Sequence, residues 1–362
     1  MWSCPAIDHG VAIFTDGKIR PCCQVSADYS KPLNEIANPA RFQDLKSLKN
    51  PEACKSCWSK EQQGFNSYRQ LYQKKVTNAP GLQFLDLRHS NQCNLKCRYC
   101  NPHFSNQWAK ELSYPITLKQ TKLSNYLDDM LTQDLVEIYW CGGEPLIISD
   151  HYDMLEILIS KGLSKNIVLR YNTNFTVMQY KDKNIFDLWQ QFKSVSVSIS
   201  VDAVGEISNY IRSGSDWNSI SANIDLALKN IEKSPNISIR LSPVVSLLSI
   251  WTLPELYKYA EHKKISVMPI LLSGPDYLSL MAIHNELKPL AISILNSIHN
   301  QIGQNMYDQI MLQLSRDDTE YLFNHALRHI LLLDNLRQEK LFELLPFRQL
   351  AIDLTLKNYE YE

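Results

Sequence analysis

Apolar and polar positions follow two rhythms along this chain. From residue 82, short runs rich in β-branched residues recur at 82–88 (LQFLDLR), 135–140 (LVEIYW), 167–174 (IVLRYNTN), 194–201 (SVSVSISV), 237–245 (ISIRLSPVV) and 265–272 (ISVMPILL). Runs of this length and composition predict strands. Between them the period lengthens. In 117–133, Leu123, Tyr126, Leu127, Met130 and Leu131 follow i, i+3, i+4 spacing, which predicts an amphipathic helix. A helix over 151–161 has Asp150 as its expected N-cap and Gly162 as its C-terminal cap. Further helices are predicted at 184–192, 217–231 and 253–263. Strands alternating with helices predict a parallel α/β sheet, either doubly wound or curled into a partial barrel. In both cases the loops after the strand C-termini carry the chemistry.

The flanks read differently. The first 57 residues have few apolar runs, several turn formers (DGK, YSKP, ANPA) and a cluster of cysteines. Residues 58–76 (WSKEQQGFNSYRQLYQKKV) predict a polar helical linker. Residues 276–343 read as mostly helical, and LPFRQLAIDLTL near the end predicts one more strand. The expected division is a cysteine-rich unit and linker at 1–76, an α/β unit at 77–275 and a helical extension at 276–362. The sequence has neither an internal repeat nor a low-complexity tract.

Composition narrows the classes. The chain has 362 residues, 44% hydrophobic, with 37 Lys and Arg against 38 Asp and Glu, a net charge of −1. That near-neutral balance argues against a broad nucleic-acid surface. No stretch reaches the roughly 18 consecutive apolar residues of a membrane helix, and MWSCPAIDHG lacks the pattern of a signal peptide. The expectation is a cytoplasmic protein with neither nucleic acid nor membrane as partner. Its nine cysteines then suit metal binding better than disulfides.

Three sequence constellations carry chemistry. Cys93, Cys97 and Cys100 sit in CNLKCRYC, directly after the first strand of the α/β unit. Three thiolates on one loop suit three irons of a [4Fe–4S] cube with the fourth left open, or a zinc knuckle completed by His89 or His103. After the second strand comes Cys141-Gly142-Gly143-Glu144-Pro145, whose glycines let backbone approach a ligand closely. Cys141 itself reads as a small buried residue beside that loop. Cys4, Cys22, Cys54 and Cys57, with Cys23 to spare, supply four sulfurs for either a tetrahedral zinc or a fully ligated cluster. Trp2, Trp58, Trp108 and Trp140 read as ordinary core, with shielding of a cluster the other use.

CNLKCRYC followed by WCGGEPL resembles the radical S-adenosylmethionine (SAM) enzymes across about 82–275. NTN at 172–174, SVDAVGEISNYIRSG at 200–214 and the strand VMPILL add to the likeness. The resemblance implies a partial (β/α)6 TIM-like barrel. It implies that Cys93, Cys97 and Cys100 ligate a [4Fe–4S] cluster whose open iron binds SAM, and that reductive cleavage of SAM gives a 5′-deoxyadenosyl radical. It further implies that Tyr99 packs near adenine and that Gly142, Gly143 and Glu144 cradle the SAM amine. Asn174, Ser200, Asp202 and Arg212 are implied SAM contacts, with a helix N-cap as the other reading of Asp202 and a surface ion pair as that of Arg212. The Cys4-x12-Gly17-x4-Cys22 half of the N-terminal group is similar to the opening of SPASM and twitch extensions, which hold auxiliary [4Fe–4S] clusters. Those extensions usually follow the barrel, whereas this segment precedes it. Cys22 is the expected ligand over Cys23 because it fits the Gly-x4-Cys spacing. The implied partners are a reductant such as flavodoxin or ferredoxin and a peptide or protein substrate, with an amino sugar, cyclitol or other small molecule as the alternative; apart from the resemblance, the remaining reading is a zinc-stabilised, non-catalytic binding module. The implied role of the auxiliary cluster is electron transfer.

Overall fold

The computed structural model describes residues 3–47, 52–316, 320–340 and 343–344. The strand expected in LPFRQLAIDLTL and the position of Trp2 lie outside them. The chain divides into two compact units, one of residues 1–94, 101–198 and 225–238, the other of 95–100, 199–224 and 239–362.

In the first unit α1 (Pro5–His9) leads into β1 (Gly10–Phe14), β2 (Lys18–Arg20) and β3 (Lys31–Pro32). Helices α2 (Gln43–Ser47), α3 (Lys55–Gln62) and α4 (Tyr68–Lys75) follow, then β4 (Phe84–Arg88), α5 (Asn106–Glu111), α6 (Leu127–Met130), β5 (Glu137–Trp140) and α7 (Ser149–Ser160). The path continues through β6 (Val168–Thr173), the small hairpin β7 (Gln179–Tyr180) and β8 (Lys183–Asn184), α8 (Ile185–Trp189) and β9 (Ser194–Ile199). The sheet order within this unit is β3-β2-β1-β4-β5-β6-β9. Strands β1, β4, β5 and β6 are mutually parallel, while β2 and β3 are antiparallel additions at the edge.

Sequence pattern and structure part company at four points here. Strand β1 runs parallel to β4 from Gly10↔Phe84 to Phe14↔Arg88, so the cysteine-rich segment contributes a strand to the same sheet. Its apolar GVAIF supplies that strand, and a Cβ on Gly10 would stand 2.5 Å from the Pro21 carbonyl oxygen. The predicted helix over 117–133 is mostly irregular; Leu123, Met130 and Leu131 are buried, but only a 3-10 turn at Ser124–Tyr126 and α6 after it are helical. Asp150 is inside the first turn of α7, and its carboxylate accepts from Gln120 Nε2 at 2.8 Å instead of capping. The polar linker breaks into α3 and α4 at Gly64 (φ +79°), and Ser67 and Gln70 form a capping box on α4.

The second unit is built from α9 (Gly205–Ile211), part of α10 (Trp217–Ile231), β10 (Ile237–Leu241), β11 (Val244–Val245) and α11 (Leu253–Lys263). It continues with β12 (Ser266–Val267), β13 (Ile270–Leu271), α12 (Lys288–Ser297), α13 (His299–Ile302), α14 (Gln304–Leu314) and α15 (Glu320–Arg337). Strand β10 pairs in parallel with β12, and β11 with β13. Ile207, Ile211, Leu247, Ile250, Leu280 and Ile330 belong to one buried cluster, so the helical extension shares the core of this unit. The α/β, mostly parallel character read from the sequence holds. Among the described residues no helix is long and apolar enough to cross a membrane.

Candidate active site

In the first unit the loop after β4 carries Cys93. The Asn106 side-chain oxygen accepts from the Cys93 amide at 2.9 Å, and Asn106 N donates to the Asn91 carbonyl at 2.8 Å. Asn91 spends its own amide on the carbonyls of Pro102 and Thr117 and on the Lys119 N–H. Two asparagines, both buried, thus replace a regular ladder in fixing the loop.

The glycine loop after β5 packs on that segment. Gly142 and Gly143 have φ of +77° and +55°, values that suit glycine. A Cβ on Gly143 would stand 2.3 Å from the Gln92 carbonyl oxygen, and one on Gly142 3.0 Å from Arg88 Cα. The Glu144 amide donates to the Gln92 carbonyl at 2.7 Å. The buried Glu144 carboxylate accepts from Thr173 Oγ1 and the Asn174 amide, each at 2.6 Å, and from the Leu146 amide at 3.0 Å. The glutamate therefore ties the ends of β5 and β6 together. The Asn174 side chain reaches Asn94 Oδ1 at 2.9 Å, one residue past Cys93.

In the second unit Cys97, Tyr99, Asp202 and Arg212 come together. Tyr99 donates to Asp202 Oδ2 at 2.6 Å, and Arg212 pairs with both Asp202 oxygens at 2.9 and 3.2 Å. The Val244 amide also donates to Asp202 at 2.7 Å, and Arg212 Nη1 lies 3.8 Å from Cys97 Sγ. Val204, not Asp202, stands at the N-cap of α9, and Arg212 is buried rather than part of a surface pair. Burial lowers the Arg212 pKa, but Asp202, Tyr99 and Cys97 outweigh it and hold the guanidinium above its ordinary value. Burial pushes the Cys97 thiol up, with Arg212 pulling against it. Ser200 is half-buried just after β9. Cys100 follows a turn in which its amide donates to the Cys97 carbonyl at 2.9 Å.

One set of anchors was not legible in the sequence. The Lys96 and Arg98 amides donate to the carbonyls of Ser213 and Ile211, each at 2.8 Å. Buried Arg98 pairs with Asp334 at 2.6 Å and Glu339 at 2.5 Å, and lies 3.5 Å over the Tyr210 ring. Arg337 donates to the Lys96 carbonyl at 3.0 Å. The end of the helical extension thus grips 95–100 by charge, across a sequence separation that no local pattern encodes.

The N-terminal thiols fall into two environments in the first unit. Burial raises the Cys4 thiol to about 11, with Cys57 adding to it, and raises Cys54 to about 12 with Cys4 and Cys57 adding. Cys22 is raised by burial, then by Cys23, Cys4 and Cys57. Cys4, Cys22, Cys54 and Cys57 are electrostatic neighbours. Cys23 faces elsewhere, its thiol raised by burial and influenced by Arg88 and Asp86. Cys141 is buried and donates to Asp86 at 3.4 Å.

None of the nine cysteines is joined in a disulfide. Among the described residues no three or more His, Cys, Asp or Glu side chains converge as a mononuclear metal site. A tetrahedral zinc would need such convergence at about 2.3 Å per sulfur, whereas a cube gives each thiolate its own iron. Three thiols at the spacing of Cys93, Cys97 and Cys100 are the kind of donor set that an iron–sulfur cluster with one open iron takes.

Residues 87–243 match the family model described as the Radical SAM superfamily. That span holds Cys93, Cys97, Cys100, the glycine loop, Asn174, Ser200, Asp202 and Arg212; the N-terminal cysteines lie outside it. GTP 3′,8-cyclase 3 of Mycobacterium bovis is 36% identical over 78 residues, 21% of this chain and 20% of its own length. Uncharacterized protein MJ0907 of Methanocaldococcus jannaschii is 29% identical over 187 residues, 49% of this chain and 58% of its own. The chain therefore spans between a fifth and three fifths of these relatives. Native anSMEcpe with bound AdoMet aligns over 69% of this chain and 67% of its own at 20% identity, with a TM-score of 0.42. The match makes residues 87–243 similar to the Radical SAM superfamily and supports an enzyme.

Proposed function

We propose that this chain is a SAM-dependent radical enzyme that abstracts hydrogen from a peptide or protein side chain, with an auxiliary [4Fe–4S] cluster in electron transfer. The observation that carries it is the Radical SAM match over 87–243, which contains the three-cysteine loop and the glycine loop. When bound, a [4Fe–4S] cluster with SAM supplies a 5′-deoxyadenosyl radical that removes a hydrogen atom from substrate.

The chain's residues have distinct parts in this reading. Cys93, Cys97 and Cys100 hold three irons. Gly142 and Gly143 bring backbone close to the amine of SAM, and Glu144 keeps that loop in place through Thr173 and Asn174. The Asp202 carboxylate, held by Tyr99, Arg212 and Val244, keeps a guanidinium beside Cys97. A buried cation there opposes the negative charge of a thiolate ligand. Cys4, Cys22, Cys54 and Cys57 close the auxiliary site, whose lack of an open position suits electron transfer over substrate ligation. A reductant such as flavodoxin or ferredoxin supplies the electron.

The small-molecule alternative gains support from the Mycobacterium bovis relative, which is named for a reaction of GTP. Incubation of the anaerobically reconstituted chain with SAM and dithionite tests the shared core. The expected result is 5′-deoxyadenosine that requires reductant; a fully iron-loaded chain that leaves SAM intact would sink the proposal. Deuterium carried into 5′-deoxyadenosine from a labelled peptide or a labelled nucleotide then separates the two substrate readings.

A further inference from the structure

Strands β4, β5 and β6 have two unlike faces. One is apolar, with Leu85, Leu87, Ile138, Trp140, Leu169 and Tyr171 all buried. The other carries Asp86, Arg88, Glu137, Tyr139 and Arg170. The parallel register sets Asp86 beside Tyr139 and Tyr139 beside Arg170. Helix α4 covers this face: the Tyr72 ring packs on Phe84 at 4.9 Å between centroids, and Lys75 Nζ is 2.5 Å from Glu137. The inner face of a parallel sheet is ordinarily an apolar run, and charges there cost several kcal/mol of desolvation each. A row of them is not explained by packing.

Their mutual pairing leaves donors over. Arg88 Nε bonds Asp86 Oδ1 at 3.0 Å, and Arg170 Nη1 bonds Glu137 Oε1 at 3.2 Å. Among the described residues the other guanidinium nitrogens of Arg88 and Arg170 have no hydrogen-bond partner. Solvent still reaches both side chains, which keep 21% and 26% of their surface. The two guanidinium carbons lie 5.7 and 5.0 Å from the centroid of the same Tyr139 ring. Lys75, Arg88 and Arg170 face two carboxylates, so the row carries one positive charge in excess.

We propose that Arg88 and Arg170 form a receptor for an oxyanion of the substrate, a carboxylate or a phosphate, seated beside the Tyr139 ring. A guanidinium fork suits either group because its N–H donors match paired oxygens. Asp86 and Glu137 then act as positioning residues that keep the two forks turned toward one another. The word substrate rests on the radical SAM reading; the anion site itself does not.

The test is calorimetric titration of the reconstituted full chain with phenyl phosphate, benzoate and, as neutral control, benzyl alcohol. At least one anion binds wild type in a one-to-one ratio and the alcohol does not. A stronger response to phenyl phosphate assigns the phosphate form of the site, and a stronger response to benzoate the carboxylate form. Arg170→Gln and Arg88→Gln each weaken the preferred anion roughly 10- to 100-fold, as loss of a charge-assisted hydrogen bond does. Arg170→Lys retains part of the affinity, and near-UV circular dichroism reports whether each variant keeps its packing. Failure of both anions to bind wild type, or equal affinity in wild type and a folded Arg170→Gln, overturns the site. Arg170-dependent anion binding by a chain that never cleaves SAM would leave the site standing and remove the radical reading instead.

Discussion

The molecule has two cysteine groups, and their surroundings differ. Among the N-terminal thiols, burial and neighbouring sulfurs raise Cys4, Cys22 and Cys54 together. At Cys97 the nearest strong influence after burial is a cation, Arg212, itself locked to Asp202. Sulfurs gathered against sulfurs suit a site closed by its own ligands, since binding a metal or cluster drives off the shared protons. A sulfur set beside a buried guanidinium suits a site that handles charge brought from outside. Function, in this account, follows from what stands next to each thiol rather than from how many thiols there are.

The sharpest way to break the comparison is to exchange adjacent cysteines. Cys22→Ser removes the auxiliary cluster, about four irons per chain, while Cys23→Ser keeps the full iron content, because Cys23 faces Asp86 and Arg88. Equal iron loss in the two variants would contradict the assignment. Next in size is Arg98→Ala. Removing one member of a buried, paired set costs about 3–5 kcal/mol, so denaturant unfolding should show a loss of that order and iron at the 93–100 loop should become labile. A loss confined to a few tenths would mean that α15 does not hold the loop. Gly143→Ala places a Cβ against the Gln92 carbonyl at positive φ; a destabilisation of roughly 1–3 kcal/mol should accompany weakened SAM binding by equilibrium dialysis.

The smallest expected effect is on pH dependence. Burial lowers His89 to about 4 and His151 to about 3, the latter helped by His89. Both lie against Trp140, with ring centroids at 6.1 and 4.6 Å. The unfolded chain binds these protons near pH 6.5 and the folded chain does not, so stability is full above that value and falls as pH drops below it. The slope is about 1 kcal/mol per pH unit for each histidine. Urea midpoints measured between pH 7 and 5 should show it, and His151→Gln should reduce it. An unchanged slope in that variant would show that His151 titrates normally in the folded chain.

Much of this was readable in the sequence, for identifiable reasons. Helices α10 and α11 match the predicted 217–231 and 253–263 because their apolar stripes and polar faces are long enough to fix both ends. The three-cysteine loop and the glycine loop follow strands whose apolar runs are unmistakable. The predicted helix at 117–133 failed because its spacing places Leu123, Met130 and Leu131 in the core without requiring a hydrogen-bonded ladder between them. Strand β1 was hidden because GVAIF is short and sits among cysteines and turns, and only its pairing with β4 reveals it. The Arg98 and Arg337 anchors depend on residues far apart in sequence. The charged row of Asp86, Arg88 and Arg170 was overlooked because single charges in strand runs read as exposed positions. Register alone puts them side by side under α4.

The most direct test of the central claim is iron content and SAM cleavage of wild type against a Cys93→Ala, Cys97→Ala, Cys100→Ala triple variant, both reconstituted anaerobically. The account predicts about eight irons in wild type and about four in the variant, with reductant-dependent 5′-deoxyadenosine formed by the first and absent from the second. A triple variant that keeps all its iron, or still cleaves SAM, would contradict it.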